Sequence, residues 1–177
     1  MIKSRVALIK CDTYDHSQAF NAIRAGLDLL GRLSTFVQPG EKIVIKPNVL
    51  IGTDPVKGVT THPVVFQSEG ELLLEAGVRV YYRDSPGFGL SEMSMRLSGI
   101  KKIADEIGCI LVNFDSGREI SYKNALLVKK FVIAHGVLDS DGLISFPRLK
   151  THGFLRLPEQ LKINLVASRV CLKVNIM

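Results

Sequence analysis

"QPGEKIVIKPN" (38–48) is the stretch whose reading decides the fold. Pro39-Gly40 is a turn signal, and Ile43-Val44-Ile45 is a β-branched run of strand length. Pro47 ends that strand, because proline lacks the N–H a ladder needs and restrains the residue before it. On both sides of the strand the apolar period changes. Upstream, "DHSQAFNAIRAGLDLLGRL" (15–33) sets Phe20, Ile23, Leu27 and Leu30 at helical spacing, with Asp15 or Ser17 as N-cap. Before it, "RVALIK" (5–10) reads as another strand. Downstream, "THPVVFQSEGELLLEAG" (61–77) reads as a helix, with Thr61 or His62 as cap, Pro63 at its first position and Gly77 closing it. "VRVYYRD" (78–84) is a strand, "SEMSMRLSGIKKIADEIG" (91–108) a helix and "CILVNF" (109–114) a strand. Residues 118–136 suggest two short strands, as a hairpin or an edge addition, and "GLISFP" (142–147) is a last buried strand.

Strand and helix alternate, so the expected fold is α/β: a mostly parallel sheet with helices on both faces, Rossmann-like, with right-handed crossovers. The length of 177 residues suits one domain. With 46% apolar and 23% charged residues the composition is that of a globular protein. No stretch nears the ~20 apolar residues a membrane helix needs, and the start shows no secretory signal pattern, so a cytoplasmic protein without a membrane partner is expected. Lys+Arg exceed Asp+Glu by 23 − 17 = 6, which suits an anionic small molecule. Trp is absent and the basic residues are scattered, so neither a stacking platform nor a basic stripe points to nucleic acid. Cys11, Cys109 and Cys171 share no CxxC spacing, so they encode neither a zinc ribbon nor an iron–sulfur framework.

In a sheet of this kind ligands bind beyond the carboxyl ends of the strands. Polar groups gather there: Lys46 and Asn48 after one strand, then Thr61 and His62, Asp84 and Ser85 after another, and Lys150, Thr151 and His152 after the last. Each has a plainer use. Asn48, Asp84 and Ser85 suit turns, and Thr61 and His62 suit a helix cap. Their convergence on one edge is the argument for a site. Lys46, Asn48 and Lys150 are the expected anion holders, with Thr61, His62, Ser85 and Thr151 as further ligand-binding groups. Asp84 and His152 are the candidates for proton transfer, because a carboxylate orients an imidazole that titrates near neutrality. His62, His152 and Asp84 are the alternative as metal ligands, but no HxxxH or HxH spacing supports them.

"VIKPNVL" (44–50), "VTTHPVV" (59–65), "RDSPGFG" (83–89) and "FPRLKTHGF" (146–154), in this order, resemble the motifs of domain-of-unknown-function family 362. Arg148 stands where that family usually has Lys, and Arg83 where it often has Gly. The resemblance covers residues 5–157. It implies a link to redox proteins, since the domain is often fused to a ferredoxin-like module with iron–sulfur clusters. A redox-protein partner, and a non-catalytic accessory or scaffold role, are therefore the competing expectation. A distant likeness to nickel-dependent lactate racemase keeps a metal or organometallic cofactor as another. The cofactor, the reaction and whether the chain is an enzyme at all are left open by the sequence.

Family members continue after the LKTHG motif with Thr-Gly-Ala-Ile-Lys-Asn and then Gly-Cys-Val-Pro-Gly. This chain has "PEQLKINLVASRVCLK" (158–173). A permitted codon choice for those residues, with one nucleotide restored in the codon of Leu157, translates as Thr-Gly-Ala-Ile-Lys-Asn-Gln-Phe-Gly-Cys-Val-Pro-Gly-Leu-Leu-Lys. Residues 1–157 are thus expected to be the α/β domain, incomplete at its C-terminus, and residues 158–177 an out-of-frame tail. Sequencing the gene is expected to show the bases that permit this second reading; incompatible bases at those codons rule it out.

Overall fold

The computed structural model describes residues 5–85, 90–124, 126 and 129–147. Helix α1 (His16–Leu30) is capped by Asp15, whose side chain accepts from the N–H of Gln18. It buries Ala19, Ile23 and Leu27, one stripe at i, i+4 and i+8. Strand β1 (Lys42–Pro47) follows, then α2 (Pro63–Glu75), capped by His62 with Pro63 in its first turn. Next come β2 (Arg79–Tyr82), α3 (Ser91–Leu97), α4 (Ile100–Ile107) and β3 (Ile110–Leu111). A hairpin of β4 (Gly117–Ser121) and β5 (Lys130–Ala134), the short α5 (His135–Leu138) and β6 (Gly142–Phe146) complete the order.

The main sheet has the order β3-β2-β1-β6, with every pairing parallel. This is the expected α/β architecture, and β1, the strand that decided it, lies between β2 and β6. A central strand covered on both faces reads as a continuous apolar run, as Ile43-Val44-Ile45 does. One face is thick. Ile43, Ile45, Val80, Tyr82, Ile144 and Phe146 join one core with Ile23 and Leu27 of α1, Phe66 and Leu73 of α2, and Ile100 and Ala104 of α4. The other face is thin. Val44, Val112 and Leu143 pack there with Tyr81, Phe114 and Val137 of α5. A Cβ on Gly136 would stand 2.7 Å from the carbonyl oxygen of Asn113, so only glycine lets α5 come this close.

Three expectations are corrected. Residues 5–10 form no strand. The segment lies along α1, with Arg5 Nη2 donating to Leu29 O at 3.3 Å and Ile9 beside Gly26, and it pairs with neither sheet edge. A β-branched run realises its strand preference only against a cross-strand neighbour. The expected helix over 91–108 is two helices, broken at Gly99, whose φ of 76° is left-handed and whose absent side chain admits Pro63 of α2. The strand expected over 109–114 is only Ile110–Leu111, because Asn113 Oδ1 accepts from the N–H of Asp115 at 2.7 Å and turns the chain. Cys109 sits just before that strand as a core thiol, pushed up to about 12 by burial. The stretch 118–136 forms the hairpin, as its own two-stranded sheet.

Glu69 lies on the buried side of α2, and neither carboxylate oxygen has a hydrogen-bond partner among the described residues. Burial alone raises its carboxyl from the ordinary 4.5 to about 8. Between those values the unfolded chain loses the proton while the folded chain keeps it. Stability therefore falls as pH rises from 4.5 to about 8 and levels off above. Urea midpoints taken across that range are expected to show this decline in the parent protein and a flatter profile in Glu69→Gln; an identical slope in both contradicts the assignment.

Candidate functional site

The carboxyl ends of β1, β2 and β6 meet at one rim of the sheet, and most of the expected polar residues in the described part of the chain lie there. Lys46 comes from the last turn of the pleat in β1 and reaches Asp84, two residues past β2: Nζ lies 2.5 Å from Oδ1. The other oxygen, Oδ2, accepts from the backbone N–H of Val49 at 2.7 Å. The Asp84 side chain is 5% exposed and that of Lys46 20%, so the carboxylate is inside and the lysine side chain is partly exposed. Both Asp84 oxygens are engaged, which makes this residue first of all the group that positions Lys46. The backbone carbonyl of Asp84 accepts from Ser91 Oγ at 2.9 Å, tying the start of α3 to the same corner.

Thr61 is a second tie. Its N–H donates to Asn48 O at 2.9 Å, and its Oγ1 accepts from the Asn48 N–H at 2.8 Å. The same hydroxyl donates to Phe146 O at 2.9 Å, linking the β1–α2 connection to the end of β6. With that proton committed, Thr61 fixes the rim. Asn48, also buried, stands at this junction. His62 is the N-cap of α2: Nδ1 accepts from Val64 N–H at 3.3 Å, which requires that nitrogen to be unprotonated. The ring stacks on Tyr14, with centroids 3.7 Å apart and planes 11° from parallel. Ser85 is exposed next to Asp84. Lys150, Thr151 and His152 lie outside the described residues.

Two rim residues carried no signal in the sequence. Arg83, buried beside Lys46, has Nη2 2.9 and 2.8 Å from the two carboxylate oxygens of Asp115. Ser145 of β6 is opposite Lys46 in the β1–β6 register and is buried. Among the described residues no group of three His, Cys, Asp or Glu is arranged to hold a metal ion, and no helix is long and apolar enough to cross a membrane. Cys11 is buried, and its Sγ donates to Thr13 O at 3.2 Å.

Asp84→Ala leaves a largely buried ammonium without its carboxylate and Val49 N–H without its acceptor. The loss expected is about 2–4 kcal/mol of unfolding free energy, read from urea denaturation. The double variant Lys46→Met/Asp84→Leu is expected to recover most of it. A loss of under about 0.5 kcal/mol in Asp84→Ala would mark the pair as an ordinary surface bridge.

The thylakoid-associated protein sll1697 of Synechocystis sp. is 29% identical to this chain over 155 residues, which is 88% of the chain and 47% of that protein. The chain thus spans about half the length of the curated relative it matches. The family model described as a domain of unknown function, DUF362, matches residues 43–162, from the second residue of β1 past the end of β6 and over more than half the chain. With the match covering more than half of its residues, the chain belongs to the DUF362 family.

Proposed function

We propose that this domain binds the anionic group, phosphate or carboxylate, of a small molecule at the carboxyl rim of its sheet. The observation that carries the reading is the Lys46–Asp84 pair: a cation held in place by a buried carboxylate at the end of the central strand, on a side chain that is partly exposed. An ammonium has three donors, and Asp84 takes one direction, so the rest are available to an anion arriving from outside. Asn48 and Ser85 border the approach. Lys150 and Thr151 join the site if the segment after β6 folds back over the rim, and His152 with Asp84 would then be the pair for proton transfer. Thr61 and His62 contribute by fixing the β1–α2 connection, with His62 presenting its ring on Tyr14.

The thylakoid association belongs to the longer relative. It favours a second reading, a non-catalytic accessory domain that docks beside a redox partner, in which the rim is a contact surface instead of a pocket. For residues 158–177 the proposal remains an out-of-frame tail; the family match stops at 162, within it.

Mass spectrometry of molecules that co-purify with the protein tests the anion reading. A small anion is expected in the parent protein, and its occupancy is expected to fall by at least about tenfold in Lys46→Ala, the loss of one charge-assisted contact, with a smaller fall in Lys150→Ala. Equal retention in all three proteins contradicts the site.

A further inference from the structure

Consecutive side chains alternate across a strand, so residues paired in a parallel register share a face. Lys46 pairs with Ser145, and both lie on the thin face that carries Val44 and Leu143. The N–H of Arg83 donates to Ile45 O at 3.2 Å, which extends the β1–β2 register by one residue and sets Arg83 beside Lys46 on that face. The three side chains form one row across β2, β1 and β6, on strands about 4.8 Å apart. The next row toward the strands' start is apolar: Tyr81, Val44 and Leu143.

The two outer members of the row carry buried donors that nothing among the described residues accepts from. Ser145 is 1% exposed and its Oγ has no hydrogen-bond partner. Arg83 is 9% exposed, and its Nε is likewise buried without one. Asp115 holds the guanidinium by Nη2 alone, so the group is oriented while Nε–H stays unused. A buried polar group left this way costs about 1–3 kcal/mol, and native proteins keep few of them. Here the two residues that carry them flank Lys46 in the register, and all three side chains supply donors.

We infer that this row is a subsite for a single oxyanion group. Lys46 contributes the central charge, Arg83 Nε–H and Ser145 Oγ–H donate from either side, and Asp115 positions the guanidinium. The inference rests on the reading that Lys46 binds an anion, and it adds two contact residues and one positioning residue to that site. Two cations and a hydroxyl supply donors in one row, which suits the oxygens of a carboxylate or phosphate group.

Isothermal titration with inorganic phosphate, and separately with acetate, at constant ionic strength tests it on the full chain and on Ser145→Ala, Arg83→Lys and Lys46→Met. Ser145→Ala and Arg83→Lys are each expected to weaken the preferred anion by about tenfold, as the loss of one charge-assisted hydrogen bond does. Ser145→Ala should do so with an unchanged or higher Tm, because it removes an unpartnered hydroxyl; if Arg83→Lys does not fold, Ser145→Ala decides alone. Parent-like binding in Ser145→Ala and Arg83→Lys, with binding lost in Lys46→Met, overturns the row and leaves the Lys46 reading intact. No binding of either anion to the parent protein overturns both.

Discussion

The rim of this domain depends on one interaction, the ion pair between Lys46 at the end of the central strand and Asp84 beyond its neighbour. A buried pair of this kind adds little net stability, because desolvation offsets much of the attraction, yet it is costly to break from one side. Its value here is positional. Asp84 also accepts from Val49 N–H and, through its carbonyl, from Ser91. Asp84, by its carboxylate and its backbone carbonyl, therefore gathers the end of β1, the end of β2 and the start of α3 around one cation. Thr61 does the same between the β1–α2 connection and β6.

The two faces of the sheet divide the work. On the thick face α1, α2 and α4 bury a continuous apolar cluster against β1, β2 and β6. That face also encloses Glu69, whose carboxyl is pushed up to about 8 by burial. The thin face has a small apolar cluster under α5 and then, at the strand ends, the polar row of Arg83, Lys46 and Ser145. Unpartnered donors are tolerated where the surrounding packing over-determines the structure, and such places tend to be functional ones.

What the sequence reveals and conceals follows from the range of each signal. The β1 strand, the capped helix α2 and the last strand β6 were legible because their evidence is local: a β-branched run closed by Pro47, a cap followed by Pro63, a short apolar run. The gathering of Lys46, Asn48, Thr61 and Asp84 was legible from topology, since strand ends of a parallel sheet share an edge. Residues 5–10 were not, because a strand needs a partner and this segment lies on α1 instead. The break at Gly99 was hidden inside a helical period and depends on Pro63 of another helix. Arg83 and Ser145 look like an ordinary surface cation and an ordinary strand serine until register places them on either side of Lys46. The burial of Glu69 comes from the packing of α2 and carries no local signal.

The central claim, that the rim cation receives an anion, is tested most directly at its own nitrogen. In protein labelled with 15N-lysine, the Lys46 ammonium resonance, assigned by its loss in Lys46→Arg, is followed while inorganic phosphate replaces chloride at constant ionic strength. The account predicts a saturable shift of that resonance, larger than that of any exposed lysine. A Lys46 signal that moves no more than those of the surface lysines contradicts it.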